Sequence, residues 1–406
     1  MRKTVTSVTR SLRLLLIGLA ACTSERGVIS SDCPGGESTY SLSGLGRTLS
    51  VERMQLFAGD TVEDVGFGRI QDVAVDPSGR IYVLDSMNRR VSVHDPEGRT
   101  LLMFGREGEG PGEFSYPTRL FLAPPDTIEV FDAFLFRATI FSSAGAVLGT
   151  MSPPVEVGFG QDQEISFGSR GEFYKLSYEG YQESLISALD GNVKGVVRGR
   201  NTIERWAPPR ADWQQLTEVP GLEVYVDLGQ GSLHDVRYAK RALWAPARGG
   251  FWHADNSRYE LARYTSEGAL VCRVRVPWEP ARTSNEERER YYAAEDLAGD
   301  SRSSEARRAR VRQDREDIPF PDYKPAISSF LVAQNGDLWI DFGGDSAISS
   351  QTGWHVLEPT GRPKGVVNLP ARFRPFYIVG DRVYGRELGE LDLNQVAVYR
   401  VTVPGT

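Results

Sequence analysis

Four histidines, three cysteines and a recurring aspartate are the side chains of this 406-residue chain with the widest chemical range. His94, His234, His253 and His355 lie far apart, and no short motif gathers them with other metal ligands. The signatures that arm a serine (GxSxG), hold zinc on a helix (HExxH) or attach haem (CxxCH) are absent. Gly105–Gly112 is rich enough in glycine to suggest a phosphate loop. It lacks the Lys-Ser/Thr pair, however, and leads through Pro117 into a strand rather than a helix, so it reads as a linker. Asp85, Asp132 and Asp255 each close a strand-like run. A carboxylate placed there suits a turn, where it accepts hydrogen bonds from loop amides. Arg89, Arg90, Arg137 and Arg258 recur just beyond these aspartates, either lining an anion-attracting rim or pairing with neighbouring acids.

A repeat positions these residues. Phe57, Phe67, Ile81, Val83, Asp85, Arg90, Val93 and Gly98 superpose on Phe104, Phe114, Ile128, Val130, Asp132, Arg137, Ile140 and Gly145. Short apolar runs alternate with Gly, Pro and Asp turns within each unit, as antiparallel strands with tight connections require. A repeat of about 40–50 residues built this way is a propeller blade, which buries both sheet faces only by stacking around an axis. Six units can be counted. They begin at Asp72 and Arg119, then continue around Glu172, Gly249, Asn335 and Gly380. In the third, Leu185–Ala188 reads as a strand. The sixth runs out of chain after Val396–Val401, so a strand near Leu49–Phe57 is expected to complete it. The expected fold is therefore an all-β six-bladed β-propeller closed by its N-terminal strand, with a helical insertion.

Phe104-Gly105-Arg106-Glu107-Gly108-Glu109-Gly110-Pro111-Gly112-Glu113-Phe114, with Ile81–Asp85 followed by Asn88 and Arg90, resembles the NHL-repeat family. The resemblance is closer still to bacterial six-bladed propeller lipoproteins. It is strong over residues 66–150, moderate from 240 onward and poor between 198 and 240. What it implies is fold and compartment more than activity. Propeller lyases and lactonases hold a divalent metal on His, Asp, Glu or Asn near the axis, so a metal-dependent hydrolase or lyase with an axial site is the alternative to a binding role.

The N-terminus reads as an export signal. Arg2, Lys3, Arg10 and Arg13 precede the apolar run Leu14–Ala21, which is too short to span a bilayer. Leu19-Ala20-Ala21-Cys22 resembles a bacterial lipobox, which implies cleavage after residue 21 and lipid on Cys22. Thr23 after the cysteine is similar to an outer-membrane address. Residues 22–46 then read as a flexible tether and 47–406 as the propeller. Cys33 and Cys272 either pair in the oxidising compartment or remain free thiols, and free thiols are the expectation because Cys33 falls in the tether. The formal charge of −7 argues against a nucleic-acid partner.

Strand alternation places every loop between second and third strands, and every blade-to-blade linker, on one face. Two insertions, about 198–237 and 277–325, are expected at such linkers and hence on that face. Within the second, Ser284 and Glu287 form a capping-box pattern ahead of a helix from Asn285 to Leu297, and Ser304–Gln313 is a further helical candidate. A partner that is a protein or an extracellular polymer would be held by Arg106, Arg137, Trp206, Trp213, Arg258, Tyr291 and Tyr292. His234 and His253 are the histidines placed to approach this face. No cofactor is expected beyond a possible divalent metal.

Overall fold

The computed structural model describes residues 36–39, 45–58, 66–123, 126–154, 165–167, 171–177, 180–299, 318–342 and 351–404. Six antiparallel sheets carry the fold. Strands A to D run outward from the axis. In blade one they are Ile70–Val75, Ile81–Asp85, Arg90–His94 and Thr100–Phe104. Blade two has Pro117–Ala123, Thr127–Asp132, Arg137–Ser142 and Val147–Met151. Blade three has Ile165–Phe167, Phe173–Ser177, Lys194–Trp206 and Gln214–Asp227, with an added Ser232–Asp235 strand. Blade four has Ala242–Ala247, Gly250–Asp255, Glu260–Thr265 and Leu270–Arg275. Blade five has Ser329–Val332, Leu338–Asp341, Gln351–Leu357 and Pro363–Pro370. Blade six has Phe373–Val379, Arg382–Leu388 and Asn394–Thr402, completed by Ser50–Phe57. Each A strand lies beside the A strands of the blades before and after it, which closes the ring.

The 47-residue offset has a packing cause. Gly98 and Gly145 sit in C–D turns at φ +88° and +78°. A Cβ on Gly98 would come 2.9 Å from the Phe57 ring, and one on Gly145 the same distance from the Phe104 ring. Each D-strand phenylalanine therefore lies against the turn glycine of the next blade. The repeating pair is a contact between blades as well as an element of each one.

Ring closure joins the two ends of the chain. Ser50–Phe57 pairs antiparallel with 396–402, which gives blade six its outer strand. The chain before it is also engaged, which corrects the tether expected to extend to residue 46. Gly36–Thr39 adds a parallel strand outside blade four, with Gly36 opposite Cys272. Leu45 is buried against blades four and five. Leu49 N donates to Val366 O and Val366 N to Arg47 O, both at 2.8 Å. Gly365 is required there, because a Cβ would approach Arg47 O to 2.6 Å. Residues 36–39 and 45–57 thus form a belt over blades four, five and six. Cys272 is disulfide-bonded, which corrects the expectation of a free thiol. Cys22 and Cys33 lie outside the described residues, as do residues 1–21.

Blade three departs most from the sequence reading. Leu185–Ala188 belongs to helix α1 (Tyr181–Ala188), entered through Gly180 at φ +69°, and not to a strand. Leu185 and Leu189 pack against Val224 and Val226, so the apolar residues that suggested a strand face a second layer. The third strand is Lys194–Trp206. Residues 202–206 pair with strand B, while 194–201 continue beyond it against strand D. The segment 198–237 is therefore an overlong C–D hairpin, not an insertion at a blade linker. Its register leaves Lys175 and Glu204 as a buried ion pair at 3.1 Å, with Lys175 Nζ also 4.5 Å from the centre of the Trp213 ring.

The second insertion does join blades four and five. It contains helix α2 (Asn285–Gly299). Ser284 N donates to Glu287 Oε2 at 2.8 Å and Glu287 N to Ser284 Oγ at 3.1 Å, a reciprocal cap. Lys324 donates to the same glutamate. The expected helix over Ser304–Gln313 lies outside the described residues.

Candidate functional site

The A strands converge on the axis, and there the structure holds a cavity of about 620 Å³. Five blades contribute to its wall. Asp72 comes from blade one, Arg119 from blade two, Trp244 from blade four, Phe330 from blade five and Arg374 from blade six. A second cavity of about 550 Å³ shares Pro246 and Val332 with it and reaches the A–B turns at Asn335-Gly336. The first therefore opens towards the face that carries the B–C loops. Its volume is that of a typical small-molecule site.

Local register explains the charges here. In the repeat Arg119 occupies the place of Asp72, so one inward-facing position carries opposite charges in adjacent blades. Asp72 accepts from Val73 N at 2.9 Å and across the blade interface from Leu120 N at 3.0 Å. Burial pushes its carboxyl pKa up, against the lowering influence of Arg119, those two amides and Arg374. Arg374 is opposite Arg386 in the A–B pairing of blade six. Burial lowers the pKa of both guanidiniums, and proximity adds to it: Arg119 acts on Arg374, while Arg374 and Arg69 act on Arg386. Among the described residues none of Arg69, Arg119, Arg374 and Arg386 has a carboxylate within ion-pairing distance. Arg119 Nη1 donates to Thr118 O at 3.2 Å, and the Arg374 guanidinium stands 5.4 Å from the centre of the Phe376 ring. Trp244 Nε1, on the same wall, is buried without an acceptor.

The arginines singled out from sequence are committed elsewhere. Arg137 donates to Glu109 O at 2.7 Å, Gly110 O at 2.5 Å and Glu113 O at 3.2 Å, holding the glycine-rich linker against blade two. Arg106 is exposed and bound to Glu113, with Nε 2.9 Å from Oε1. Arg258 is exposed at the edge of a recess of about 160 Å³ shared with His253, Asp255 and Glu260. His253 is buried there with Nε2 lacking a partner, and burial lowers its pKa to about 4. It lies between blades rather than on the loop-bearing face. His234 Nε2 is 3.0 Å from Ser232 Oγ in the added strand of blade three.

The expected aromatic contacts also change. Trp206 is buried, with Nε1 donating to Arg210 O at 2.9 Å, and Trp213 Nε1 donates to Pro154 O at 3.0 Å. Both flank the C–D turn of blade three, on the face away from the loops, where they pack the blade rather than lining the expected binding face. Tyr291 and Tyr292 are half-buried, each 5.8 Å from Phe320, and Arg237 stands 4.7 Å from the Tyr291 ring. They fasten helix α2 to the loop before blade four.

Two of the three aspartates organise B–C loops. Asp85 accepts from Gly68 N and Arg69 N, both at 2.9 Å, and from Asn88 Nδ2 at 2.7 Å. Asp132 accepts from Ser115 N, Tyr116 N, Phe134 N and Leu135 N at 2.7–3.0 Å. Asp255 keeps one turn bond, from Ser257 N at 3.0 Å, and otherwise pairs with Arg198 at 2.9 Å. In blade four Asn256 makes the cross-loop bond instead, accepting from Arg241 N at 2.6 Å. Among the described residues no group of three or more His, Cys, Asp or Glu could hold a metal ion.

The loops so anchored carry exposed apolar side chains. Met87, Phe134, Leu391 and Leu393 project from the B–C loops of blades one, two and six, and Tyr116 from the linker between the first two. Phe134 is 59% exposed and Leu391 93%. Blades six, one and two are neighbours, so these residues follow a crescent along one face of the ring.

A family model described as a 6-bladed β-propeller matches residues 45–152. No curated protein matches the sequence. Among solved structures, a Bacteroides vulgatus protein superposes with a TM-score of 0.47 at 8% identity, over 88% of this chain and 98% of its own. A candidate exported protein of Bacteroides fragilis gives 0.46 at 12% identity, over 90% and 99%. Virginiamycin B lyase from Staphylococcus aureus gives 0.40 at 10% identity, over 87% and 99%. The molecule is a six-bladed β-propeller with a small helical insertion.

Proposed function

We propose that this propeller is a lipid-anchored binding protein of the bacterial cell envelope, and that it engages a protein partner through its loop-bearing face. The observation that carries the reading is the exposed crescent of Met87, Tyr116, Phe134, Leu391 and Leu393 across three adjacent blades. Single surface apolar residues need no explanation, but exposed apolar side chains gathered on the same face of three adjacent blades are what an interaction site presents. Exposed Arg106 lies on the same face between blades one and two, and exposed Arg258 lies on that face across the ring, in blade four.

The envelope address rests on the sequence. The short apolar run and Leu19-Ala20-Ala21-Cys22 support export and lipid on Cys22, with outer-membrane sorting after Thr23 and a relation to NHL-repeat lipoproteins. No helix among the described residues is long and apolar enough to cross a membrane. A photo-crosslinking amino acid at Phe134 or Leu393, in the full chain in living cells, should yield the same single protein adduct. One at Ser78, in an A–B turn of the opposite face, should yield none. No adduct from the crescent, or the same adduct from Ser78, would overturn the proposal.

A further inference from the structure

We infer that the axial cavity is a binding site for an organic oxyanion: a carboxylate, phosphate or sulfate group carried on an apolar or aromatic body. The donors and acceptors of the cavity wall carry it, independently of the crescent. Arg119 and Arg374 bring two guanidiniums to the wall, and among the described residues neither has a carboxylate partner. Trp244 adds a buried indole N–H with no acceptor. Arg69 and Arg386 stand close behind and raise the positive potential, since Arg69 acts electrostatically on both Arg374 and Arg386, and Arg386 lies opposite Arg374 in the A–B pairing. Against these donors the wall sets two carboxylates. Asp72 is held by the amides of Val73 and Leu120, and Asp341 has an interaction partner of its own.

Trp244 Nε1 is buried without an acceptor, which costs about 1–3 kcal/mol, while Arg119 and Arg374 are exposed, so their guanidiniums are accessible to a ligand. With Arg69 and Arg386 behind the wall counted, four guanidiniums stand against two carboxylates, a surplus that is complementary to an acceptor-only anion. The planar guanidinium fork suits a carboxylate, phosphate or sulfate better than it suits a halide. The remaining wall fixes the rest of the ligand. Trp354, Phe330 and Phe376 line the same space, so an apolar or aromatic body would lie against them while the anionic end meets the arginines. The protein as a whole is acidic, so the site concentrates positive charge against the sign of the chain.

The test is calorimetric titration of the purified protein with benzoate, phenyl phosphate and inorganic phosphate, with benzamide as the neutral counterpart of benzoate. The expected result is saturable binding of at least one aromatic anion, weaker in high salt and absent for benzamide. Arg374→Gln and Arg119→Gln should each weaken it by roughly tenfold or more, since each removes a charge-assisted hydrogen bond. Arg210→Gln, exposed in the C–D turn of blade three and remote from the cavity, should leave it unchanged. Asp72→Asn removes a negative charge from the site while keeping an oxygen to accept from Leu120 N, and should tighten binding severalfold. Arg374→Lys retains the charge and serves as the second variant if Arg374→Gln unfolds, with the unliganded unfolding midpoint as the control. A purely structural arginine cluster would change that midpoint in the variants but give no saturable anion binding. Absence of saturation by all three anions at millimolar concentration, or equal affinity in the variants, would overturn the inference.

Discussion

Asp132 accepts four backbone N–H groups from two loops, and in the absence of its carboxylate those buried donors have no acceptor. Asp132→Ala is expected to lower unfolding free energy by roughly 2–4 kcal/mol, and Asp132→Asn by less because one oxygen remains. Denaturant titration of the two variants measures this, and equal loss in both would show that charge rather than acceptor count matters. The role of such aspartates was legible because it repeats in sequence. Asp255 shows the limit of that logic, since Arg198 arrives from a hairpin with no counterpart in other blades and Asn256 takes over the cross-loop bond. The axial arginines were harder to see. Asp72 and Arg119 do align at the 47-residue offset, and a charged residue at an inward position of an innermost strand was the available signal. Nothing in Arg374 or Arg386 marks them as axial until register places them opposite one another. The tryptophans misled for a related reason. Trp206 and Trp213 stood in a segment read as exposed insertion, whereas strand pairing turns them into blade packing.

At the scale of elements, blades one, two and six followed from alternation and turn chemistry, and so did the completing N-terminal strand. Blade three did not, because α1 and the overlong hairpin pack on each other rather than on the repeat. Leu185 and Leu189 satisfy Val224 and Val226, contacts with no periodic trace in sequence. The closing strand has a direct consequence for solubility. A chain that begins at residue 59 would leave one edge of Asn394–Thr402 unpaired, with its backbone donors and acceptors facing solvent. Such a chain is expected to self-associate, and size-exclusion chromatography with light scattering reads the outcome. A monodisperse monomer as stable as the full chain would show that Ser50–Phe57 is dispensable.

The whole molecule should be weakened by mild acid. Burial holds His253 and His355 neutral, with pKa values pushed down to about 4 from the ordinary 6.5. His355 is held by Tyr259, whose hydroxyl lies 2.6 Å from Nδ1, and by the stacked Phe342 ring. Between pH 6.5 and about 4 the unfolded chain binds protons that the folded chain does not. Stability contributed by these rings is complete above that window and falls as acid is added, by at most about 1.4 kcal/mol per histidine per pH unit. Asp72 works in the opposite sense, because burial favours its neutral form in the fold. Unfolding midpoints measured from pH 7 to pH 4.5 should fall, and His253→Gln should make the decline shallower. An unchanged slope would remove His253 from the account. The belt of residues 36–39 and 45–57 bears on a different property, the order of events in folding. It is the first part of the propeller to leave the ribosome, yet its partners are Cys272, Val366 and residues 396–402, among the last. Blades one and two can form from local pairings while the belt waits, and the ring gains its closure only when the C-terminus arrives. An interrupted or shortened chain would therefore retain two loose ends at once, and would be distinguishable by a protease from a finished one.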